Sequence, residues 1–232
     1  IPIHPAAHYM IGGVDADEHG RTSLSGLYAV GEAGCSGLHG ANRLGGNSLS
    51  DLLVFGQRAG EYAAKYAKEN SAGQINNDQI DQIARETLSP FDRGGSGQGP
   101  FQVQFDLQEM MQDLVGIVRR EDEMQKAVQG IAKLWERAKA AGASGNRDYN
   151  PGWHTALDLH PLLTVSEAVA LSALERKESR GGHFRDDYPE KDPACAKFNV
   201  VSYRGEDGKM HIRREPVKPM PAELTAIIEE NK

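Results

Sequence analysis

This sequence predicts an α+β, mainly helical fold: a glycine-rich first part that ends in one long helix, then a three-helix bundle, then a terminal β-hairpin. Three patterns carry that expectation. Leu49, Leu52, Leu53, Gly56, Ala59, Gly60 and Ala63 recur on one helical face, and the small residues make that face flat enough for close packing. Three further apolar stripes follow, at Leu107, Met110, Met111, Leu114, Val115 and Val118, then at Met124, Val128, Ile131, Leu134 and Trp135, and last at Leu159, Leu162, Leu163, Ala168, Leu171 and Leu174. Three helices with such faces close against each other in an up-down bundle. Finally, Phe198–Tyr203 and Met210–Arg213 alternate apolar with polar residues around Gly205-Glu206-Asp207-Gly208, which is a hairpin pattern.

In chain order, residues 1–75 form the first part. Residues 76–100 are a linker with a short helix at Ile80–Leu88, stopped by Ser89-Pro90, and an exposed glycine-rich loop from Arg93 to Pro100 marks the domain boundary. The bundle takes residues 101–190, with a loop at Ala141–Pro151 before its third helix, and the hairpin and tail take 191–232. Met110 and Met111 read as core packing rather than as ligands.

With 232 residues, 39% hydrophobic and 25% charged, the chain has the composition of an ordinary globular protein. No run approaches the roughly twenty apolar residues of a membrane span, and no signal peptide is expected. A net charge of -7 argues against nucleic acid or an anionic lipid surface as the main partner. Two cysteines, Cys35 and Cys195, are too few for four thiolate ligands, so any iron–sulfur relay belongs to another chain. His154, His160 and His183 lack metal-ligand spacing and read as structural.

The stretch richest in chemistry is His39-Gly40-Ala41-Asn42-Arg43-Leu44-Gly45-Gly46-Asn47-Ser48-Leu49. Arg43 is a permanent planar cation suited to gripping a carboxylate at two points. Gly45 and Gly46 let the backbone approach a flat ligand. A helix capped by Asn47 or Ser48 offers free N–H groups and a positive dipole end to an anion. The competing reading is an ordinary glycine-rich loop before a helix, in which His39 and Asn42 merely build the loop. Upstream, Leu27–Val30 reads as a short strand ending at Gly31, and Glu32 directly after it is placed to accept hydrogen bonds from sugar or ribityl hydroxyls. His8, in a proline-bounded segment before Gly12-Gly13, is either a turn histidine or a ligand.

The segment Thr22 to Glu32 resembles the second flavin motif of two-dinucleotide-binding-domain flavoproteins. Together with His8-Tyr9-Met10-Ile11-Gly12-Gly13, His39 to Leu49 and Ser179-Arg180-Gly181-Gly182-His183, the chain resembles the C-terminal part of the flavoprotein subunit of succinate dehydrogenase or fumarate reductase. The resemblance implies a remnant of the FAD fold in residues 1–75, followed by the bundle and hairpin. It implies that His8 and Arg43 bind the dicarboxylate and act in catalysis, that Glu32 contacts FAD, and that the backbone at Ser48 and Leu49 meets the isoalloxazine ring. It further implies an iron–sulfur partner subunit, a membrane anchor with quinone, and a peripheral location on the cytoplasmic side of the cell membrane. Arg180, His183, Arg185 and Asp187 are expected to form an ion-pair network docking the bundle.

Two departures bear on the reading. No strand leads into Gly-x-Gly-x-x-Gly, so the diphosphate-binding loop, the covalent flavin–histidine link and the arginine general acid of the family are expected upstream of Ile1. The tail, Glu215-Pro216-Val217-Lys218-Pro219-Met220-Pro221 and a charged helix, differs from the family's usual ending. Two alternatives remain: an L-aspartate oxidase-like flavoenzyme, which typically reads Arg-Met-Ala-Ser-Asn-Ser where this chain has Arg43 to Ser48, and a non-catalytic module that docks a partner.

Overall fold

The computed structural model describes residues 8–95 and 99–231. Residues 96–98 of the loop expected at 93–100, and the first seven residues, lie outside that range. The helices are α1 Asn47–Glu69, α2 Asn77–Arg93, α3 Pro100–Leu114, α4 Glu121–Ala140, α5 Pro151–Glu175 and α6 Ala222–Glu230. The protein is mainly helical with few, short strands, as the sequence suggests. Its contacts gather into two compact units, one reaching to Ser89 and including Arg180–Phe184, the other Pro90–Ser179 with Arg185 onward.

In the first unit, strands Val14–Asp15 and Gly34–Cys35 pair in parallel, and α1 lies against the 3-10 turn Gly31–Ala33. Ala59 and Asp51 are the buried residues of α1, while His19 stacks on Tyr62 at 3.8 Å and the Tyr28 hydroxyl donates to the Tyr62 carbonyl at 3.2 Å. The expected strand at Leu27–Val30 does not form. Tyr28 makes a lone bridge with Arg21, and a tight turn folds Leu27 back so that Thr22 donates to its carbonyl.

Two further boundaries move. α2 runs through Pro90 to Arg93 instead of stopping at Leu88. A proline there removes the N–H that would bond the Glu86 carbonyl, and the Ser89 hydroxyl donates to that same carbonyl at 2.7 Å, which replaces the lost bond. α3 ends at Leu114, short of Val118, which enters a two-residue strand after Gly116.

The second unit has its own core. α3 contributes Val103 and Leu107, α4 contributes Met124, Ala127, Ile131 and Leu134, and α5 contributes Leu159, Leu163, Ala170 and Ala173. Met110 and Met111 pack against this cluster. Helix ends follow elementary rules: α3 and α5 open with proline in the first turn, Asn150 caps α5 by accepting from Trp153 N at 3.0 Å, and α4 carries acids at its start and Arg137 and Lys139 at its end. The reading that nothing approaches a membrane span needs correction, since α5 has the length and a mean hydropathy of 1.2 over an 18-residue window. Leu159, Leu163, Ala170 and Ala173 of this helix lie in the core, while about a fifth of the apolar window is buried.

At the C-terminal end of α5, Arg185 is fully buried. It donates to the Ala173 carbonyl at 3.0 Å and makes two 2.7 Å contacts to Asp187, one to each carboxylate oxygen. A cation at the negative end of a helix dipole is favourable, and Arg185 thereby satisfies carbonyls that the helix leaves without partners. The hairpin strands Phe198–Arg204 and Met210–Pro216 are antiparallel, with Arg204 opposite Met210.

Candidate functional site

The site lies in the first unit, where the loop 37–46 meets the start of α1. Gly46 precedes the helix in a left-handed conformation, φ +83°, and no side chain caps the first turn. The expected cap from Asn47 or Ser48 is therefore absent: Asn47 is already inside the helix and donates its N–H to the Leu44 carbonyl, closing a turn that only a glycine at 46 follows cheaply. The consequence is an uncapped helix start, the arrangement that favours negative charge.

Arg43 is half-buried and its guanidinium carbon sits 4.4 Å from the centroid of the Tyr9 ring. Its Nη1 donates to the Leu44 carbonyl at 3.2 Å, and its Nε is buried with no hydrogen-bond partner. A buried guanidinium N–H without an acceptor costs free energy. His8 is exposed and adjoins Tyr9 in the chain. Glu32 accepts from the Met10 N–H at 3.2 Å and so ties the 8–10 segment to the turn after Gly31. Ser48 is half-buried and Leu49 is exposed, both at the helix start.

Three contributors escape a sequence reading. Tyr9 lies under Arg43. His39 Nε2 stands 3.5 Å from the Tyr9 hydroxyl and 3.4 Å from Asp51 Oδ2, and Asp51 is one of few buried carboxylates. Their separation along the chain hides them. The third is the segment Arg180–Phe184, which the sequence assigns to the end of the bundle. The Gly182 N–H donates to the Ala41 carbonyl at 3.0 Å. Gly181, φ +59°, runs so close that a Cβ there would stand 2.2 Å from the same oxygen. This segment braces the loop that carries Arg43. Arg185 and Asp187, expected in a docking network, instead close the end of α5 within the second unit.

The residues fit the edge of a flat, anionic cofactor. Cβ atoms built at Gly45 and Gly46 meet nothing within 4 Å, so the approach to the helix start is open. Leu44 and Leu49 expose apolar surface beside it, at 72% and 68%. Residues 1–49 match the family model described as FAD binding domain, and residues 104–227 match that described as fumarate reductase flavoprotein C-term. Among curated proteins, the fumarate reductase flavoprotein subunit of Haemophilus influenzae is 39% identical over 94% of this chain and 37% of its own length. The succinate dehydrogenase flavoprotein subunit of Coxiella burnetii is 37% identical over 95% of this chain and 39% of its own. Among solved structures, Mycobacterium smegmatis Sdh1 in complex with UQ1 matches with TM-score 0.88 and 40% identity over 97% of this chain and 38% of that one. A quinol-fumarate reductase with menaquinol molecules matches with TM-score 0.86 and 33% identity over 95% of this chain and 39% of that one. The chain thus belongs to the fumarate reductase and succinate dehydrogenase flavoprotein family, and it spans under two fifths of the length of the curated relatives it matches.

Proposed function

We propose that this chain is the C-terminal part of an FAD-dependent subunit that interconverts succinate and fumarate, and that residues 1–75 complete the flavin and substrate site while 76–100 link it to a bundle at 101–190 and a hairpin and tail at 191–232. The observation that carries the substrate reading is Arg43, held on an aromatic face with a buried N–H that lacks an acceptor. A dicarboxylate supplies that acceptor.

In this reading Arg43 grips one carboxylate with its planar fork, and His8 binds the substrate from the neighbouring segment that Glu32 ties down. A two-point grip fixes which carbon faces the cofactor and removes rotational freedom before reaction. It also stabilises negative charge that develops next to the held carboxylate. The flavin, when bound, supplies hydride transfer. The helix start at Ser48 and Leu49 supplies positive potential for a cofactor edge that gains negative charge, and Glu32 adds an acceptor for ribityl hydroxyls.

The same reading gives the parent protein an iron–sulfur partner subunit and, through it, a membrane anchor with quinone. Two cysteines, Cys35 half-buried and Cys195 buried, cannot ligate a cluster alone. The similar Sdh1 in complex with UQ1 and quinol-fumarate reductase with menaquinol molecules support a quinone partner, and with it a peripheral position on the cytoplasmic side of the membrane.

The test is turnover of the intact subunit with succinate, fumarate and L-aspartate. Turnover of succinate or fumarate is expected, and turnover of aspartate alone assigns the protein to the oxidase. Arg43→Lys keeps the charge and loses the fork, so turnover is expected to fall at least about tenfold with flavin content unchanged. Full turnover with unaltered substrate affinity removes Arg43 from the site. A visible spectrum of the 232-residue chain without flavin is consistent with the remaining flavin contacts lying outside it, whereas tightly held flavin contradicts a purely docking module.

A further inference from the structure

The buried carboxylate on α1 has no role in the reading above. Asp51 and His39 are almost enclosed, with side chains 7% and 13% exposed, and their closest atoms lie 3.4 Å apart. A carboxylate withdrawn from water is costly unless it is compensated, and in the first unit, where α1 leaves Leu49, Leu52 and Leu53 exposed, this one is nevertheless kept inside. His39 Nδ1 is buried without a partner. A lone pair is cheaper to leave there than an N–H, so the ring proton is assigned to Nε2, the nitrogen that faces both Asp51 and the Tyr9 hydroxyl. The Tyr9 and His39 rings meet edge to face, 88° apart, with centroids 5.7 Å apart. Arg43 lies with its guanidinium carbon 4.4 Å from the centroid of the Tyr9 ring.

We infer that Asp51, His39 and Tyr9 form a positioning relay that fixes the guanidinium plane of Arg43 for two-point capture of a substrate carboxylate. The inference rests on the proposed role of Arg43 and adds three residues to it. Asp51 holds the histidine ring, the histidine ring holds the edge of Tyr9, and Tyr9 presents its face to the cation. An arginine on an aromatic face keeps its in-plane N–H groups available for a carboxylate, because the ring contacts the plane and leaves the edges free. Without the ring the side chain regains several rotamers and the fork is no longer prepared.

The experiment uses the intact flavin-loaded subunit and malonate, a dicarboxylate without the two-carbon unit that is oxidised, with binding read from the perturbed flavin absorbance. Tyr9→Leu is expected to raise the malonate Kd about fivefold, and Tyr9→Phe, which keeps the ring, to restore most of it. In an Arg43→Lys background the Tyr9→Leu change is expected to cost less than about twofold, since the platform then has no fork to orient. Additive effects in the two backgrounds overturn the relay. If Arg43→Lys alone leaves malonate binding unchanged, the anchoring role of Arg43 fails and the relay with it, an outcome distinct from additivity. Should Tyr9→Leu fail to fold, the near-isosteric Asp51→Asn takes its place: a weakening of about twofold or more that vanishes with Arg43→Lys supports the relay, and an unchanged Kd overturns it.

Discussion

The two units of this chain are stabilised in opposite ways. The bundle encloses Val103, Met124, Ile131, Leu159 and Leu163, each no more than 1% exposed, so its helices find their apolar partners within the chain. The first unit buries little more than Ala59 of its helix and leaves Leu49, Leu53 and Val54 more than half exposed. What the contrast teaches is which unit finds its apolar partners within this chain. The unit that holds Arg43 keeps glycines, an uncapped helix start and a guanidinium N–H without an acceptor, each a local cost, while the bundle has a dense apolar core and a side-chain cap on α5. Stability and function are commonly divided in this way, with strained or open positions gathered at sites.

The largest expected effect tests the contrast directly. Leu163→Ala removes a fully buried side chain from the meeting point of three helices and should lower bundle stability by about 2–5 kcal/mol. Leu53→Ala, at a side chain 74% exposed, should change the 232-residue chain by less than about 0.5 kcal/mol. Denaturant unfolding is followed by tryptophan fluorescence for the bundle, to which both Trp135 and Trp153 belong, and by far-UV circular dichroism for α1, which the tryptophans do not report. Equal costs at the two leucines refute the contrast.

An intermediate effect concerns pH. Hydrogen bonds from Arg185 hold the Asp187 carboxyl at about 2, and the Glu121 N–H adds a further bond at 2.9 Å. The unfolded value is roughly 3.9. A carboxylate whose folded pKa is depressed adds stability that is complete above the unfolded pKa and is lost as pH falls through the folded one. The bundle should therefore lose stability between about pH 4 and pH 2, with up to about 2 kcal/mol due to this residue. Asp187→Asn should remove that contribution at neutral pH and flatten the acid slope. The slope should not vanish, since Asp106, held low by Arg137 and Gln102, titrates in the same unit. An unchanged slope in the variant contradicts the assignment.

The helical stripes and the hairpin were legible in the sequence because they depend on periodicity, which is local. Arg43, Gly45 and Gly46 stood out for the same reason, as residue types whose chemistry is intrinsic. What escaped the sequence depends on contacts across the chain. Ser89 rescuing the Glu86 carbonyl, which lets α2 pass Pro90, is a local exception that a proline rule overlooks. The pairing of Asp51 with His39, the platform of Tyr9 and the bracing of Ala41 by Gly181 and Gly182 join residues separated by 12 to about 140 positions, and no periodicity encodes them. Leu27–Val30 does not form a strand, because its backbone closes a tight turn onto Thr22 and Gly20 and leaves only the bridge from Tyr28 to Arg21.

The smallest expected effect is also the one whose sign separates the two units. Gly56 and Gly60 lie within α1, and a Cβ at either meets nothing within 4 Å. Inside a helix, glycine is about 0.5–1 kcal/mol worse than alanine, because it loses more backbone freedom on folding. In the 232-residue chain Gly56→Ala should thus stabilise α1 by about that amount, seen as slower exchange of its amide hydrogens. The glycines make sense if a second element of the longer protein crosses α1 closely at this face, as the small residues of the stripe permit. In the intact subunit the added methyl would then meet packed atoms, and the same substitution should destabilise, with overpacking costing about 1–3 kcal/mol. Equal stabilisation in both contexts means the face is open to solvent throughout, and the first unit is then merely loose rather than built to be covered.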